Sequence, residues 1–483
     1  MLTLCYTVDS LRLYHMAETF SILTRGCKVN QYETQQIREL LQSYDLAPVE
    51  LAEGPDLVVV NTCCVTHTAS AKSRRLIRQA RRHDPQAVVV CGCLPAVDTD
   101  ELRDIGENVH LVRDRCDLAA TLARLARTEP TTPDHHPTVA AYSPITPENA
   151  PKVKREKDLG LPREMPPLTS FQDQTRAFLK VQDGCDSTCS FCLIPTARPL
   201  VRFKVVEEIV SEAADLVAAG HREIVLTGVH IGAYGQTTTR RRHWPAPENE
   251  HLPALLDRVA RLPGLSRLRL SSLDPADVTP ALLDVFAAHA NLLPHLHLSL
   301  QSGSDAILRR MARPYRVDDF REKVELARAR LDRPAITTDI IVGFPGETDA
   351  DFEQTLALAR EAAFAKTHVF PFSPRRGTPA ATMKPKVPSQ IVKARSQALL
   401  ALDAELQRAF RTRFLGETAQ ILIEGHGPRL IGRAERYFLV ELAPGTDGTN
   451  ATGRTCAPGE IVAARLERNA ADRVLAMPLP EDL

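Results

Sequence analysis

The chain has 483 residues, 43% of them hydrophobic and 25% charged, which is enough for roughly two to four domains with cores of their own. Lys+Arg and Asp+Glu are both 60, so the chain as a whole makes no electrostatic case for nucleic acid, and any basic surface must be local. The longest apolar runs, such as Leu57 to Val60 and Val88 to Val90, are strand-length and argue against a membrane partner.

The opening, MLTLCYTVDSLRLYH, lacks a basic start and is broken by Asp9 and Arg12, so it makes a poor signal peptide. Met16 precedes AETFSILTRGC, where a first strand begins. Met1 and Met16 both fit as the start, and residues 1–15 read as an upstream mis-start or a short tail. A cytoplasmic location is expected, and there eleven cysteines argue against structural disulfides. Cys27, Cys63, Cys64, Cys91 and Cys93 lie early, Cys185, Cys189 and Cys192 lie together, and Cys5, Cys116 and Cys456 stand alone.

Residues 17–127 alternate strand and helix. TFSIL (19–23) is strand-like, and NQYETQQIRELLQ (30–42) is helix-like with Ile37, Leu40 and Leu41 on one face. DLVVVN (56–61) is a strand, residues 69–82 a helix, and AVVVCG (87–92) a third strand. This order predicts an α/β domain with a parallel doubly wound sheet. Cys27 follows the first strand, Cys63 ends the second and Cys93 ends the third. Parallel strands present their carboxyl ends along one edge, where such folds place ligands, so these three thiols are expected to meet. The alternative is three buried cysteines acting as small hydrophobes. The second helix gathers Arg74, Arg75, Arg78, Arg81 and Arg82 within about a third of its circumference. That stripe suits an RNA phosphate backbone, or is a solvated face.

Residues 128–170 are dense in proline and polar residues and read as a linker, or as a Pro-rich peptide for a partner. Six strand-like runs follow within 171–404: AFLKVQ (177–182), EIVLTGV (223–229), RLRLSSL (267–273), HLHLSLQ (295–301), ITTDIIVGF (336–344) and THVFPFS (367–373). A closed (β/α)8 barrel needs eight units, so an open (β/α)6 partial barrel is expected, with its site at the carboxyl ends of the strands. GQTTTRRRHWPAPENEH (235–251) reads as a surface loop. A long helix is expected over about 386–414, and 405–483 is assigned to a third domain, a small β-barrel.

VQDGCDSTCSFCLIPTAR (181–198) sets Cys185, Cys189 and Cys192 in a C-x3-C-x2-C array after the first of those six strands. A structural zinc takes four protein ligands, yet the next histidine is His221. An ordinary ferredoxin cluster also uses four cysteines. Three thiolates on a [4Fe–4S] cubane leave one iron open. That iron can chelate the amino and carboxylate groups of S-adenosylmethionine, whose reductive cleavage is the chemistry that needs it. A zinc or simple redox site is the alternative. Phe191 either packs beside the cofactor adenine or is a core aromatic.

The cysteine array, TRGCKVNQYET (24–34), NTCCVTHTA (61–69), CGC (91–93), LTGVHIGAYG (226–235), RLRLSSLDP (267–275), HLHLSLQSGSD (295–305), TTDIIVGFPGET (337–348) and HVFPFSPRRGTPAA (368–381) together resemble the methylthiotransferases. These are radical-SAM enzymes that insert sulfur and then a methyl group, and the similarity covers nearly the whole chain after residue 17. The resemblance implies a second [4Fe–4S] cluster on Cys27, Cys63 and Cys93, with Cys64 and Cys91 as bystanders. It implies that the Cys185/Cys189/Cys192 cluster, fed by an external one-electron donor, cleaves S-adenosylmethionine to a 5′-deoxyadenosyl radical. That radical takes hydrogen from a non-acidic C–H, the auxiliary cluster delivers sulfur, and a second S-adenosylmethionine supplies the methyl group. Thr227 and Gly228 occupy the place where radical-SAM folds bind the methionine amino end. Ser272, Gln301 and Asp339 end or line later strands and either face the same mouth or serve as helix caps and loop hydrogen bonds.

GCKVNQYE and HVFPFSPRRGTPAA resemble the branch that acts on N6-threonylcarbamoyladenosine at tRNA position 37. The isopentenyl branch usually has Gln-Met-Asn where this chain has Lys28-Val29-Asn30, and the ribosomal-protein branch has a proline after the cysteine. The expected partner is a tRNA anticodon loop, whose unpaired bases can turn outward, and the expected form is a monomer. N6-isopentenyladenosine as substrate and a non-catalytic iron–sulfur RNA-binding protein are the alternatives. The third domain resembles the RNA-binding TRAM module, but the last eighty or so residues carry no lysine, so a weaker grip is expected. Thr196 and Pro199 also depart from the usual IPYARG pattern.

Overall fold

The computed structural model describes residues 17–97, 102, 106, 108–126, 165–244, 251–425, 430–443 and 456–480. The readings made on residues 1–16 and 127–164 lie outside these. Among the described residues no helix is long and apolar enough to cross a membrane.

Strands covered on both faces need unbroken apolar, β-branched runs. In the first unit β1 (Thr19–Thr24), β2 (Ala47–Pro48), β3 (Leu57–Thr62), β4 (Ala87–Gly92) and β5 (Val109–Leu111) form a parallel sheet ordered β2-β1-β3-β4-β5. The central β3 and β4 are buried at every position. Helix α1 (Lys28–Gln42) packs Ile37 and Leu41 against Val59 and Val89 on one face, and α2 (His67–Arg81) packs Ile77 and Ala80 against Val58 and Val90 on the other. The doubly wound α/β expectation holds. The edge strands β2 and β5 were not foreseen, because two or three residues carry no period.

The second unit contains β6 (Arg176–Asp183), β7 (Arg202–Phe203), β8 (Glu223–Gly228), β9 (Arg267–Leu270), β10 (His295–Gln301), β11 (Ala335–Val342) and β12 (Lys366–Pro371). β6-β8-β9 and β10-β11-β12 are each parallel, and single bridges Leu268–Leu292 and Leu273–Leu298 join them into the expected six-stranded open barrel. The unforeseen β7 runs antiparallel along β6. Leu296, Leu298, Leu300, Ile336, Ile340 and Val342 face the surrounding helices. Alternation therefore turns His297, Gln301, Asp339 and Ile341 to the lumen.

The third unit closes β13 (Thr418–Ile423), β14 (Ile431–Arg433), β15 (Leu439–Leu442), β16 (Ile461–Asn469) and β17 (Val474–Pro478) into a five-stranded barrel. The boundary drawn after residue 404 falls inside the helix Ser389–Thr412, which serves both units. Its Asp403 accepts the Thr367 N–H on β12 at 2.6 Å, while its Phe410 joins the small barrel's core. The turn between β14 and β15 seats against the first residues of the large barrel's strands. Tyr437 stacks on His295 at 4.4 Å, and Arg269 donates to the carbonyls of Ala434 and Glu435 at 3.0 and 2.8 Å.

The first unit spans the open side of the large barrel. At one edge Lys180 on β6 donates to Glu33 on α1 at 3.0 Å. At the other, past β12, the His67 N–H reaches Ser373 Oγ at 2.9 Å and Arg375 reaches Ser70 Oγ at 2.8 Å. The end of the stretch read as a linker is packed. Leu168 is fully buried and its N–H meets Glu212 at 3.0 Å, while Thr169 and Ser170 N–H groups meet Glu39 at 2.8 and 3.1 Å.

Candidate active site

Three strand ends of the first unit carry the early cysteines. Cys27 sits at the surface as the residue before α1, and its thiol donates to Asn30 Oδ1 at 3.4 Å. The Cys63 N–H donates to Ser73 Oγ at 3.2 Å, and that hydroxyl donates back to the Cys63 carbonyl at 3.1 Å. The Cys93 N–H donates to the Thr62 carbonyl at 2.9 Å. Asn30 ties the ends together, donating to Asn61 Oδ1 at 2.9 Å and to the Thr62 carbonyl at 3.0 Å. The three thiols lie close enough to feel one another's charge, and burial pushes the Cys63 thiol up to about 11. Cys93 goes the other way, to about 6. Its sulfur accepts from the Cys64 thiol and, against burial, from Arg198. Cys64 therefore touches this group, whereas Cys91 points to the opposite core.

The second trio follows β6. Ser187 N–H donates to Cys185 Sγ at 3.5 Å, Ile194 N–H to Cys192 Sγ at 3.4 Å, and Arg313 to Cys189 Sγ at 3.2 Å. Burial pushes the Cys192 thiol up to about 12. Burial acts on Cys185 too, but a hydrogen bond from His230 holds that thiol below its ordinary value. None of these six cysteines is in a disulfide. Each trio offers an all-thiol, three-ligand set with backbone donors around it, which fits an iron–sulfur cubane keeping one iron free of protein.

A cavity of about 460 Å³ opens beside Cys189, lined by His230, Asp274, Arg313 and Tyr315. Arg313 pairs with Asp274, and its Nε donates to Tyr315 at 2.9 Å. Part of the stretch read as a surface loop covers the cysteine segment instead. Thr238 and Thr239 hydroxyls donate to Asp186 at 2.6 Å, and Thr239 is buried. Residues 245–250 of it lie outside the described residues.

Between the trios lies an ion network that the sequence does not announce. Arg198 donates to Glu33 at 2.8 and 2.9 Å and to Asp183 at 2.8 and 3.0 Å; Lys180 bonds both carboxylates at 3.0 Å, and Arg115 pairs with Glu33. Burial alone would raise the Glu33 and Asp183 carboxyls, but these cations hold Glu33 at about 2 and Asp183 well below the usual range. Glu33 lies more than a hundred residues from Lys180, Asp183 and Arg198, and only their motif positions beside cysteines mark them.

The remaining expected site residues scatter. Phe191 packs edge-on to Phe344 at 6.3 Å, as a core aromatic would. Thr227 and Gly228 end β8 beside Gln182, whose Oε1 accepts the His230 N–H at 2.7 Å. Ser272 is exposed past β9. Gln301 ends β10 with φ 69°, a left-handed conformation rare for a non-glycine residue. Asp339 pairs with His297 at 3.3 Å. None of these lines the cavity beside Cys189. On α2, Arg75, Arg78, Arg81 and Arg82 are exposed and Arg74 is half-buried, while Ser70, Ser73, Ile77 and Ala80 face inward.

Residues 179–359 match the model of the Radical SAM superfamily, and residues 19–114 that of the uncharacterized protein family UPF0004. The threonylcarbamoyladenosine tRNA methylthiotransferase MtaB of Chlamydia pneumoniae is 36% identical over 420 residues, 85% of this chain and 90% of that protein. The MtaB of Bacillus subtilis is 34% identical, covering 84% and 85%. The tRNA-2-methylthio-N(6)-dimethylallyladenosine synthase of Frankia alni is 33% identical, covering 95% and 88%. The radical S-adenosylmethionine methyltransferase TsrM of Kitasatospora setae shares the fold, with a TM-score of 0.52 at 16% identity over 76% of this chain and 75% of that one. A radical-SAM domain uses S-adenosylmethionine and a [4Fe–4S] cluster, and Cys185, Cys189 and Cys192 fall inside the matched segment. The chain belongs to the radical-SAM methylthiotransferase family of sulfur-group transferases.

Proposed function

We propose that the protein is a tRNA methylthiotransferase that converts N6-threonylcarbamoyladenosine at position 37 to its 2-methylthio derivative. The observation that carries this is the pairing of two three-cysteine sets across one interface, joined through Arg198. Cys185, Cys189 and Cys192 would hold the cluster that meets S-adenosylmethionine, and Cys27, Cys63 and Cys93 a second [4Fe–4S] cluster. When bound, these groups supply the electron, the 5′-deoxyadenosyl radical and the sulfur.

The chain's own residues would position them. A methionine end is zwitterionic, and the cavity beside Cys189 offers Arg313 for its carboxylate and Asp274 for its amino group. The strained backbone at Gln301 would bring that side chain toward the same strand ends. The exposed arginines of α2 would take anticodon-stem phosphates. The names of the relatives support a tRNA substrate, and two of the three relatives above carry the threonylcarbamoyl form.

Two measurements test the assignment. Nucleosides from tRNA of cells lacking the gene should show unthiolated N6-threonylcarbamoyladenosine accumulating, and normal methylthiolation there rejects it. After anaerobic reconstitution, replacing Cys185, Cys189 and Cys192 by Ala should abolish 5′-deoxyadenosine formation. Replacing Cys27, Cys63 and Cys93 should spare it and stop thiolation. RNA binding with no cofactor cleavage in the unaltered protein would point to a non-catalytic module.

A further inference from the structure

We propose that the lumen wall of β10, β11 and β12 is the subsite that reads the N6 substituent of the target adenosine, with Asp339 and His368 as its polar contacts, His297 holding Asp339 in place, and Phe370 as the face on which the base stacks. The inference rests on the substrate assigned above and deepens it.

Three half-buried side chains from three neighbouring strands converge here, each with a ligating atom within 4.8 Å of the other two. His297 Nε2 lies 3.3 Å from Asp339 Oδ1, and the His297 and His368 rings are 5.7 Å apart. His297 Nδ1 lies 2.9 Å from Thr337 Oγ1, which fixes the ring's orientation. Neither cysteine trio touches these groups, and they do not line the cavity beside Cys189. Phe370 stands on the same face of β12, two residues or about 7 Å further along the strand. It is 40% exposed although it faces the lumen, which leaves an aromatic surface free for an unstacked base.

The chemistry of a threonylcarbamoyl group matches this wall. It offers a ureido N–H and a hydroxyl as donors, for which Asp339 is the acceptor. It offers a carbonyl and a carboxylate as acceptors, for which the His368 imidazole is the donor. An isopentenyl group has no polar atom and would leave the second Asp339 oxygen and the His368 imidazole desolvated without a ligand partner, the situation in which a polar site rejects an analogue most strongly. The same three side chains have the donor set of a divalent metal site. Both ring nitrogens of His297 are already engaged, by Thr337 and Asp339, which favours the substituent.

The test uses full-length reconstituted protein and synthetic anticodon stem-loops bearing threonylcarbamoyladenosine, isopentenyladenosine or plain adenosine. Binding is read by fluorescence anisotropy. His368→Phe and Asp339→Asn should each weaken the threonylcarbamoyl loop about tenfold while shifting the plain loop less than about twofold. Melting temperature and iron content confirm that each variant is folded and loaded. Equal losses on both loops, or no loss on either, overturn the subsite. Stoichiometric zinc or manganese that is bound by the unaltered protein and lost in His368→Phe also overturns it, in favour of a metal. An unaltered protein that binds all three loops alike, or prefers the isopentenyl loop, overturns the substrate assignment itself.

Discussion

Arg198 lies against Cys93, its Nε donating to the Cys93 sulfur at 3.4 Å, while its own carbonyl accepts the Cys185 N–H at 3.0 Å. One residue therefore touches a cysteine of each trio, and its side chain is only 4% exposed.

Removing that guanidinium leaves Glu33 and Asp183 buried with fewer partners. Breaking a buried ion cluster from one side typically costs about 3–5 kcal/mol. Arg198→Ala should melt well below the unaltered protein, and Arg198→Lys should recover only part, because an ammonium keeps the charge and loses the fork. Unchanged melting of the alanine variant would show that the network is not a structural support.

Glu33 makes the same network sensitive to acid. Burial would raise its pKa, but Arg115, Arg198 and Lys180 hold it at about 2, against an ordinary 4.5. A depressed folded value means that the stabilisation is fully present above about 4.5 and is lost as the pH falls through 2. Glu33→Gln should be less stable at neutral pH, and the gap should close between pH 4.5 and 2. Denaturant melts across that window measure it, and a gap that stays constant counts against the assignment.

Tyr437 offers an optical reporter of how the small barrel seats on the large one. Burial raises its pKa, but Arg176, Arg433 and Lys28 bring the phenol down to about 8. A pH-difference absorbance titration should show one tyrosine ionising near pH 8, absent in Tyr437→Phe.

Gly184 stands directly before Cys185 with φ +80°, and a Cβ there would lie 1.9 Å from the Leu200 carbonyl oxygen. The left-handed conformation alone costs a non-glycine residue about 1–2 kcal/mol, and the clash adds to it. Gly184→Ala should displace the cysteine segment and lower iron retention on the Cys185/Cys189/Cys192 set. Iron assay with melting checks this, and full retention would mean that the segment can relax around the methyl group.

Much of the fold was legible because its strands are β-branched runs between turns: β3, β4 and β10 were placed within one residue and β11 within two. Placing Cys27, Cys63 and Cys93 at strand ends then brought them together. What escaped had no periodic signal. β2, β5 and β7 are two or three residues long. The Glu33–Arg198–Asp183 network joins residues that only the docking of two units makes neighbours. Asp339 was already placed on a strand lining the mouth, and His297 and His368 were readable beside it in principle. Each alternates with Leu, Ile, Val or Thr on consecutive strands of one open barrel, and following that alternation across all three would have turned them to a common face.

Cys63 and Cys93 are 7% and 4% exposed, and Arg198 lies over the latter. For a carrier bearing iron and sulfide the docked arrangement leaves Cys27 as the one thiol of this trio at the surface, so assembly of the inorganic core is expected to precede docking of the first unit across the open flank. The Lys180 and Arg198 contacts with Glu33 are the latch that such an order of assembly would close last.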